Sequence, residues 1–95
     1  MTKLEEKLIE LGYEETGDGY SSKRNDNFIS YSKLFHTSNL MAYLICVDVY
    51  SNGYFHSYLL EERYYIRTQQ DIDNLQQAFN QMQKDLEELR EYESK

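Results

Sequence analysis

Residues 40–60, LMAYLICVDVYSNGYFHSYLL, decide the fold of this chain. Two runs rich in β-branched and aromatic residues flank Asn52-Gly53, the dipeptide most typical of a tight hairpin, because a type I′ turn needs positive φ at both central residues. The pattern therefore predicts two antiparallel strands joined by a two-residue loop. Such a loop would pair Ser51 with Tyr54, Tyr50 with Phe55, Val49 with His56, Asp48 with Ser57, Val47 with Tyr58, Cys46 with Leu59 and Ile45 with Leu60.

This register assigns every side chain of the hairpin to one of two sheet faces. The more apolar face, which we expect helices to cover, would carry Met41, Tyr43, Ile45, Val47, Val49, His56, Tyr58 and Leu60. The more polar face, which we expect to be more open, would carry Leu44, Cys46, Asp48, Tyr50, Phe55, Ser57, Leu59 and Glu61. Tyr50 and Phe55 are then the rings expected to form a surface patch.

Capping residues predict a helix before the hairpin. The Thr2 hydroxyl and the Glu5 carboxylate can form a capping box, and leucines follow at helical spacing. Gly12 can end the helix in the left-handed conformation. We therefore predict a helix over residues 3–11.

Turn residues and β-formers predict the strands that follow. Gly17-Asp18-Gly19 and Asn25-Asp26-Asn27 are typical of turns, with a weak strand between them at residues 20–24. Runs of β-formers predict strands at residues 28–35 and 40–50, and HTSN, residues 36–39, connects them.

The C-terminal third predicts one long amphipathic helix. Residues 61–68, EERYYIRT, are expected to finish the hairpin arm or to add a short last strand. Thr68 and Asp71 form a second capping box, and the helix should end near Tyr92. Its apolar stripe follows a strict heptad: Ile72, Leu75, Phe79, Met82, Leu86 and Leu89.

Together these elements predict a single α+β domain over residues 1–95. It contains an N-terminal helix, an antiparallel meander of three to four strands and a long C-terminal helix, with both helices on one sheet face. A lone meander must cover one face, so the heptad stripe is expected to lie on the sheet. Alternatively, the six stripe residues could form a homodimer as a parallel coiled coil, with Asp85 and Arg90 in the flanking positions.

The charge distribution limits which classes of molecule this protein can bind. The net charge is −7; residues 1–18 and 71–95 each carry −4, and the tyrosine-rich middle carries +1. Duplex DNA is therefore an unlikely partner, because phosphate binding needs a net basic face. The lone Cys46 can form no internal disulfide, and no apolar leader or membrane span is evident, so we expect a cytoplasmic protein without membrane contact.

The stretch TQQDIDNLQQAFNQMQKDLEEL, residues 68–89, resembles the C-terminal end of small uncharacterised proteins encoded in phages and prophages of low-GC Gram-positive bacteria. The resemblance covers about a quarter of the chain. It implies a small accessory protein acting inside a bacterial host cell. It implies no reaction, cofactor or catalytic residue.

No residue pattern predicts catalysis, a cofactor or a metal. Cys46 and His56 would lie on opposite faces of the predicted hairpin, and Asp48 beside Cys46 would raise the pKa of the thiol rather than activate it. His36 and His56 have no further ligands at metal-binding spacing. We therefore expect a non-enzymatic protein without a cofactor.

Three binding hypotheses follow. The first is protein binding through the open sheet face and the outer acidic face of the last helix, with the candidate surface residues Tyr50, Phe55, Asp48, Ser57, Asp85, Glu88 and Glu91. The second is a single-stranded nucleic-acid binder, in which sheet tyrosines stack on bases and the backbone follows Lys23, Arg24, Lys33, Arg63 and Arg67. The third is an acidic decoy that imitates DNA phosphates with Glu5, Glu6, Glu10, Asp85, Glu87, Glu88 and Glu91.

Overall fold

A computed structural model of the chain describes residues 2–60 and 66–92. Its elements are α1 (Lys3–Glu10), β1 (Glu14–Ser21), β2 (Asp26–His36), β3 (Ala42–Tyr50), β4 (Phe55–Leu59), α2 (Gln69–Leu89) and a short 3₁₀ helix (Arg90–Tyr92). The strands form one antiparallel sheet in the order β1-β2-β3-β4. The predicted α+β fold, with both helices packed on the sheet, is confirmed. The prediction for residues 61–65 lies outside the described residues.

Local capping chemistry places both helices as predicted. Thr2 and Glu5 form the first capping box, and Gly12 ends that turn with φ of 98°. Thr68 and Asp71 form the second capping box, in which the Asp71 N–H donates to the Thr68 hydroxyl over 3.3 Å. Each box satisfies backbone donors that a helix start otherwise leaves unpaired.

The strand predicted at residues 20–24 is largely wrong, because β1 begins and ends earlier and residues 22–24 belong to a turn. Gly17-Asp18-Gly19, expected as a turn, lies inside β1, where the register shifts between Glu15 and Gly17. Gly19 pairs with Phe28, and a Cβ at Gly19 would lie 2.6 Å from the ring. The glycine therefore allows close approach of a side chain rather than a turn. The chain reverses instead at residues 22–25, where Asn25 has φ of 52°.

The β3–β4 hairpin has a three-residue loop, so the predicted type I′ turn is wrong. The Tyr50 N–H donates to the Tyr54 carbonyl oxygen over 2.8 Å, and the Gly53 N–H donates to the Tyr50 carbonyl oxygen over 3.0 Å. Gly53 alone in the loop takes positive φ, 94°. A tight turn followed by a left-handed glycine is the usual three-residue alternative to the two-residue loop. Asp26, the first residue of β2, holds this loop, because its carboxylate accepts hydrogen bonds from the Ser51 hydroxyl and the Asn52 N–H.

The extra loop residue exchanges the two faces of β4. The observed pairs are Val49 with Phe55, Asp48 with His56, Val47 with Ser57, Cys46 with Tyr58 and Ile45 with Leu59. A shift of one residue turns every side chain of a strand to the other face. The prediction of which side chains face the helices is therefore right for β3 and wrong for β4.

The core lies between the helices and one face of the sheet. Its buried members are Leu4, Leu8, Tyr13, Tyr31, Ile45, Val47, Phe55 and Leu89. These side chains come from both helices, three strands and the residue after Gly12. The helices and the sheet therefore bury their apolar surfaces against each other in one shared core.

The heptad stripe of α2 is only partly its packing face. Met82, Leu86 and Leu89 contact the core, but Ile72 and Phe79 are each 45% exposed. The residues that α2 buries are Leu89 from the stripe and, outside it, Asn74, Ala78 and Asp85.

Polar contacts explain why α2 is rotated so that part of its apolar stripe faces solvent. The Asn74 Oδ1 atom accepts from Asn39 over 3.0 Å. The Asp85 carboxylate accepts from Tyr13 over 2.8 Å and from the Lys33 ammonium over 2.5 Å. Because buried polar groups must be paired, these contacts outweigh full burial of the apolar stripe.

Candidate functional site on the open sheet face

The sheet face turned away from the helices carries polar and aromatic side chains, and we call it the open sheet face. Alternation along the strands assigns to it Phe28, Ser30 and Ser32 from β2, Leu44, Cys46, Asp48 and Tyr50 from β3, and Tyr54, His56 and Tyr58 from the β4 side. Among residues 2–60 and 66–92, no helix packs against this face.

Aromatic rings gather around Tyr50 at the hairpin end of the open sheet face. Ring centroids lie 5.4 Å from Tyr50 for Phe28, 5.7 Å for Tyr54 and 5.5 Å for His56. The His56 and Tyr58 rings are 6.0 Å apart. We call these five residues the aromatic cluster. Tyr50 is only 5% exposed, because its neighbours cover it, whereas Tyr54, His56 and Tyr58 keep part of their surface in solvent.

Arg24 lies over the outer edge of the aromatic cluster. Its guanidinium carbon is 3.5 Å from the Tyr54 ring centroid and 5.1 Å from that of Tyr50. The residue comes from the β1–β2 turn, where its N–H donates to the Ser21 hydroxyl over 3.2 Å. Such a cation–π contact is worth about 0.5–2 kcal/mol and holds a long side chain in one position.

The Asp48 carboxylate lies beneath the aromatic cluster and contacts two of its members. Its carboxylate accepts from the Ser30 hydroxyl over 2.7 Å and from the Tyr58 hydroxyl over 3.3 Å, and it lies 3.2 Å from the His56 Nε2 atom. The Asp48 side chain is 10% exposed, whereas that of His56 is 39% exposed. Three partners satisfy the buried carboxylate, and they fix the rings that cover it. Burial, and then the Asp48 charge, raise the pKa of Tyr58 to about 12.

Cys46 and His56 share the open sheet face, which corrects the prediction that they lie on opposite faces. The His56 Nε2 atom nevertheless lies against Asp48. Burial first and the Asp48 charge second raise the pKa of the Cys46 thiol, so the expected direction of this shift is confirmed. A thiol held protonated in this way is a poor nucleophile.

The seven predicted surface residues divide into two groups. Tyr50 and Asp48 do lie on the open sheet face, and Glu88 and Glu91 are exposed on the helical side. Tyr50 and Asp48 are nevertheless buried, at 5% and 7% exposure, so their predicted exposure is wrong. The other three residues do not lie on the predicted surfaces. Phe55 is a core residue, 5% exposed, and Ser57 lies on the helix face of the sheet. Asp85 is 2% exposed and pairs with Lys33.

Sequence reasoning missed the residues that give this site its character. They are Phe28, Tyr54, His56 and Tyr58, together with Arg24, which was named only as part of the basic track. Gly53 was a signal for Tyr54, His56 and Tyr58. The same sequence can form a three-residue loop with a left-handed glycine, and that loop would turn these side chains to the open sheet face. No local signal brings Arg24 to the hairpin, because that contact joins two different turns.

The predicted basic track does not form a continuous line. Lys33 lies on the helix face, where its ammonium bonds to Asp85 and to the Leu11 carbonyl oxygen. Arg24 is stacked on Tyr54, and Arg67 lies two residues before the start of α2. Arg63 lies outside the described residues.

The predicted acidic decoy is also incomplete. Asp85 is buried and therefore cannot imitate a phosphate at the surface. The Lys7 ammonium lies 3.4 Å from both Glu10 and Glu88, where it neutralises part of the charge between the helices. Glu5 bonds to Thr2 and to the Tyr31 hydroxyl.

An apolar groove of about 580 Å³ opens on the helical side of the molecule. It lies between the start of α1, the C-terminal 3₁₀ helix and the sheet, and its apolar lining includes Leu4, Ile29, Tyr31, Val49 and Tyr92. The open sheet face lies on the other side of the sheet.

Within the described part of the chain, no three His, Cys, Asp or Glu side chains come together as metal ligands. None of the described helices combines the length and apolar character needed to span a bilayer. Comparison with models of known protein families, with curated proteins and with solved structures found no match.

Proposed function

We propose that this protein is a small non-catalytic accessory protein that binds a protein partner through the open sheet face. The observation that carries the proposal is the Arg24 guanidinium, 3.5 Å from the Tyr54 ring on a sheet face that neither helix covers. The resemblance of residues 68–89 supports a phage or prophage origin and a host or phage protein as the target, inside the bacterial cell.

The composition of the patch favours a protein partner. Arginine and tyrosine are enriched in interfaces and among the residues that dominate binding energy. Arg24, Tyr54, His56 and Tyr58 combine large apolar surface with polar ends. Their mutual packing and the Asp48 hydrogen bonds reduce the side-chain entropy that binding would otherwise remove.

The same geometry disfavours the single-stranded nucleic-acid alternative. Stacking on a base requires a free ring face. Arg24 occupies one face of Tyr54, and Tyr50 is 5% exposed. Lys33, a cation that the alternative requires, lies on the other side of the sheet in an ion pair.

The test compares capture by matched variants. Tagged wild-type protein, Tyr54→Ala, Arg24→Ala and the control Glu87→Ala would be incubated with bacterial lysate, with and without nuclease, and bound proteins quantified by mass spectrometry. Glu87 is exposed on α2, away from the open sheet face. Truncation of a dominant interface residue costs at least about 2 kcal/mol, so capture by Tyr54→Ala and Arg24→Ala should fall by more than about tenfold.

Two outcomes would count against the proposal. Capture that persists in Tyr54→Ala and Arg24→Ala would place the binding surface elsewhere, provided circular dichroism shows both variants folded. Capture that disappears on nuclease treatment would favour the nucleic-acid alternative, which also predicts a steep loss of binding with salt.

A further inference from the structure

The exposed face of α2 contains a long stretch without charge. Residues 74–83, NLQQAFNQMQ, carry no ionisable side chain, although 28% of the whole chain is charged and its net charge is −7. Most surfaces of such an acidic chain repel a second copy of it. The uncharged stretch is therefore where two copies can approach each other at the lowest electrostatic cost.

The side chains around this stretch fall into three parallel lines. Successive helical residues are rotated by about 100°, so the line opposite the buried Asn74, Ala78 and Asp85 carries the glutamine and asparagine side chains. One flank of that line is apolar and the other is charged. We call the whole surface the outer face of α2: Gln76, Asn80 and Gln83 in the centre, Ile72 and Phe79 on the apolar flank, and Asp73 and Lys84 on the charged flank. The exposed Glu87 continues the central line beyond the uncharged stretch.

The apolar flank is unusually exposed for its residue types. Ile72 and Phe79 are each 45% exposed, and both belong to the stripe that the sequence predicted to be buried or paired. Burying that surface against a second apolar surface would be favourable at about 25 cal/mol for each Å² removed from water.

The charged flank has opposite signs at its two ends. Asp73 and Lys84 lie three helical turns apart, about 16 Å along the axis. Both are exposed, and neither takes part in an ion pair within residues 2–60 and 66–92. Asp73 accepts a hydrogen bond only from the Gln69 amide among these residues, over 3.0 Å.

We infer that the outer face of α2 binds a second copy of this chain in antiparallel orientation. A twofold axis perpendicular to the two helices places Asp73 of each copy opposite Lys84 of the other, so that two ion pairs form. The same axis sets the apolar flank against its own counterpart. A parallel pair would instead set the apolar flank of one helix against the charged flank of the other.

This arrangement replaces the parallel coiled coil that the heptad predicts. That pairing requires Leu89 at the seam and Asp85 in a flanking position, and both are buried against the rest of the chain. The outer face of α2 is separate from the open sheet face, so the inference does not rest on the proposed protein partner.

Sedimentation equilibrium at low salt tests the inference directly. Wild-type protein should approach twice the 11.4 kDa chain mass as concentration rises. Asp73→Lys and Lys84→Asp each replace two attractive pairs by two repulsive ones, so each should weaken dimerisation about tenfold. The double variant Asp73→Lys, Lys84→Asp restores both pairs and should dimerise like wild type. Phe79→Ser should weaken the dimer both in wild-type protein and in the double variant.

Glu6→Lys is the matched control, because it changes the net charge as Asp73→Lys does but at an exposed position of α1. Lower net charge alone favours association, so a weaker dimer in Asp73→Lys and not in Glu6→Lys would identify the specific pair. A protein that stays monomeric up to about 1 mM would overturn the inference. So would a dimer insensitive to the single substitutions, or a double variant as weak as the singles while circular dichroism shows it folded.

Discussion

Replacing Asp85 by alanine tests whether the polar network beneath α2 holds this helix on the sheet. The Asp85 carboxylate is buried and accepts from the Tyr13 hydroxyl over 2.8 Å, the Lys33 ammonium over 2.5 Å and the Gln81 amide over 3.1 Å. Alanine would leave the Lys33 ammonium with the Leu11 carbonyl oxygen, 3.1 Å away, as its remaining hydrogen-bond partner among the described residues. Removing one member of a buried ion pair costs about 3–5 kcal/mol, because the other charge stays buried without compensation.

The expected loss is large for a domain of this size. A chain of 95 residues has a free energy of unfolding of about 5–14 kcal/mol. Urea unfolding followed by circular dichroism should show a lower midpoint for Asp85→Ala at an unchanged slope. The matched control is Glu88→Ala on the same helix. Glu88 forms an ion pair with Lys7 over 3.4 Å, but its side chain is 49% exposed, so its loss should cost no more than about 1 kcal/mol.

Equal losses for Asp85→Ala and Glu88→Ala would refute this reasoning. The double variant Asp85→Leu, Lys33→Met separates charge from packing, because it removes both ions and fills the space with apolar groups. It should recover part of the stability that Asp85→Ala loses. A double variant no more stable than Asp85→Ala would mean that shape rather than an unpaired charge sets the cost.

Three further predictions concern the loop, the helix start and the open sheet face. Gly53 has φ of 94°, so Gly53→Ala should lower the free energy of unfolding by about 1–2 kcal/mol in urea titration, and an unchanged midpoint would argue against the left-handed loop. Thr68→Ala removes the acceptor of the Asp71 N–H and should cost about 0.5–2 kcal/mol, which Thr68→Ser should largely restore. Because the pKa of Tyr58 is raised from 10.0 to about 12, its stabilising effect is complete below pH 10 and is lost as the pH rises to 12. Urea unfolding measured at pH values from about 9 to 12 should therefore show a smaller loss of stability in Tyr58→Phe than in wild type, and equal losses would contradict the assignment.

The elements that could be predicted from the sequence depend on contacts between neighbouring residues. The capping boxes at Thr2 and Thr68 involve residues three positions apart, and Gly12 ends its helix through its own φ. The strands β2 and β3 follow from runs of β-formers whose composition is itself the signal. Such features need no knowledge of where the rest of the chain lies.

The errors occur where distant residues compete with a local preference. Asn52-Gly53 favours a two-residue loop, but Asp26 at the start of β2 binds the loop residues and a three-residue loop forms. Gly19 resembles a turn residue locally, although its role is to make room for the Phe28 ring. In each case the deciding partner is remote in sequence, so no pattern within the segment could identify it.

The candidate site follows the same division. Local sequence patterns suffice to predict a tyrosine-rich hairpin in an α+β domain, together with the chemical types of the groups it would display. The tertiary structure alone decided which of them share a face, because one extra loop residue turns all of β4 over and brings His56 and Tyr58 to Asp48. It also placed Arg24 on Tyr54 and turned Asn74 and Asp85 of α2 toward the rest of the protein. Buried charges and amides are stable only where their hydrogen bonds are formed.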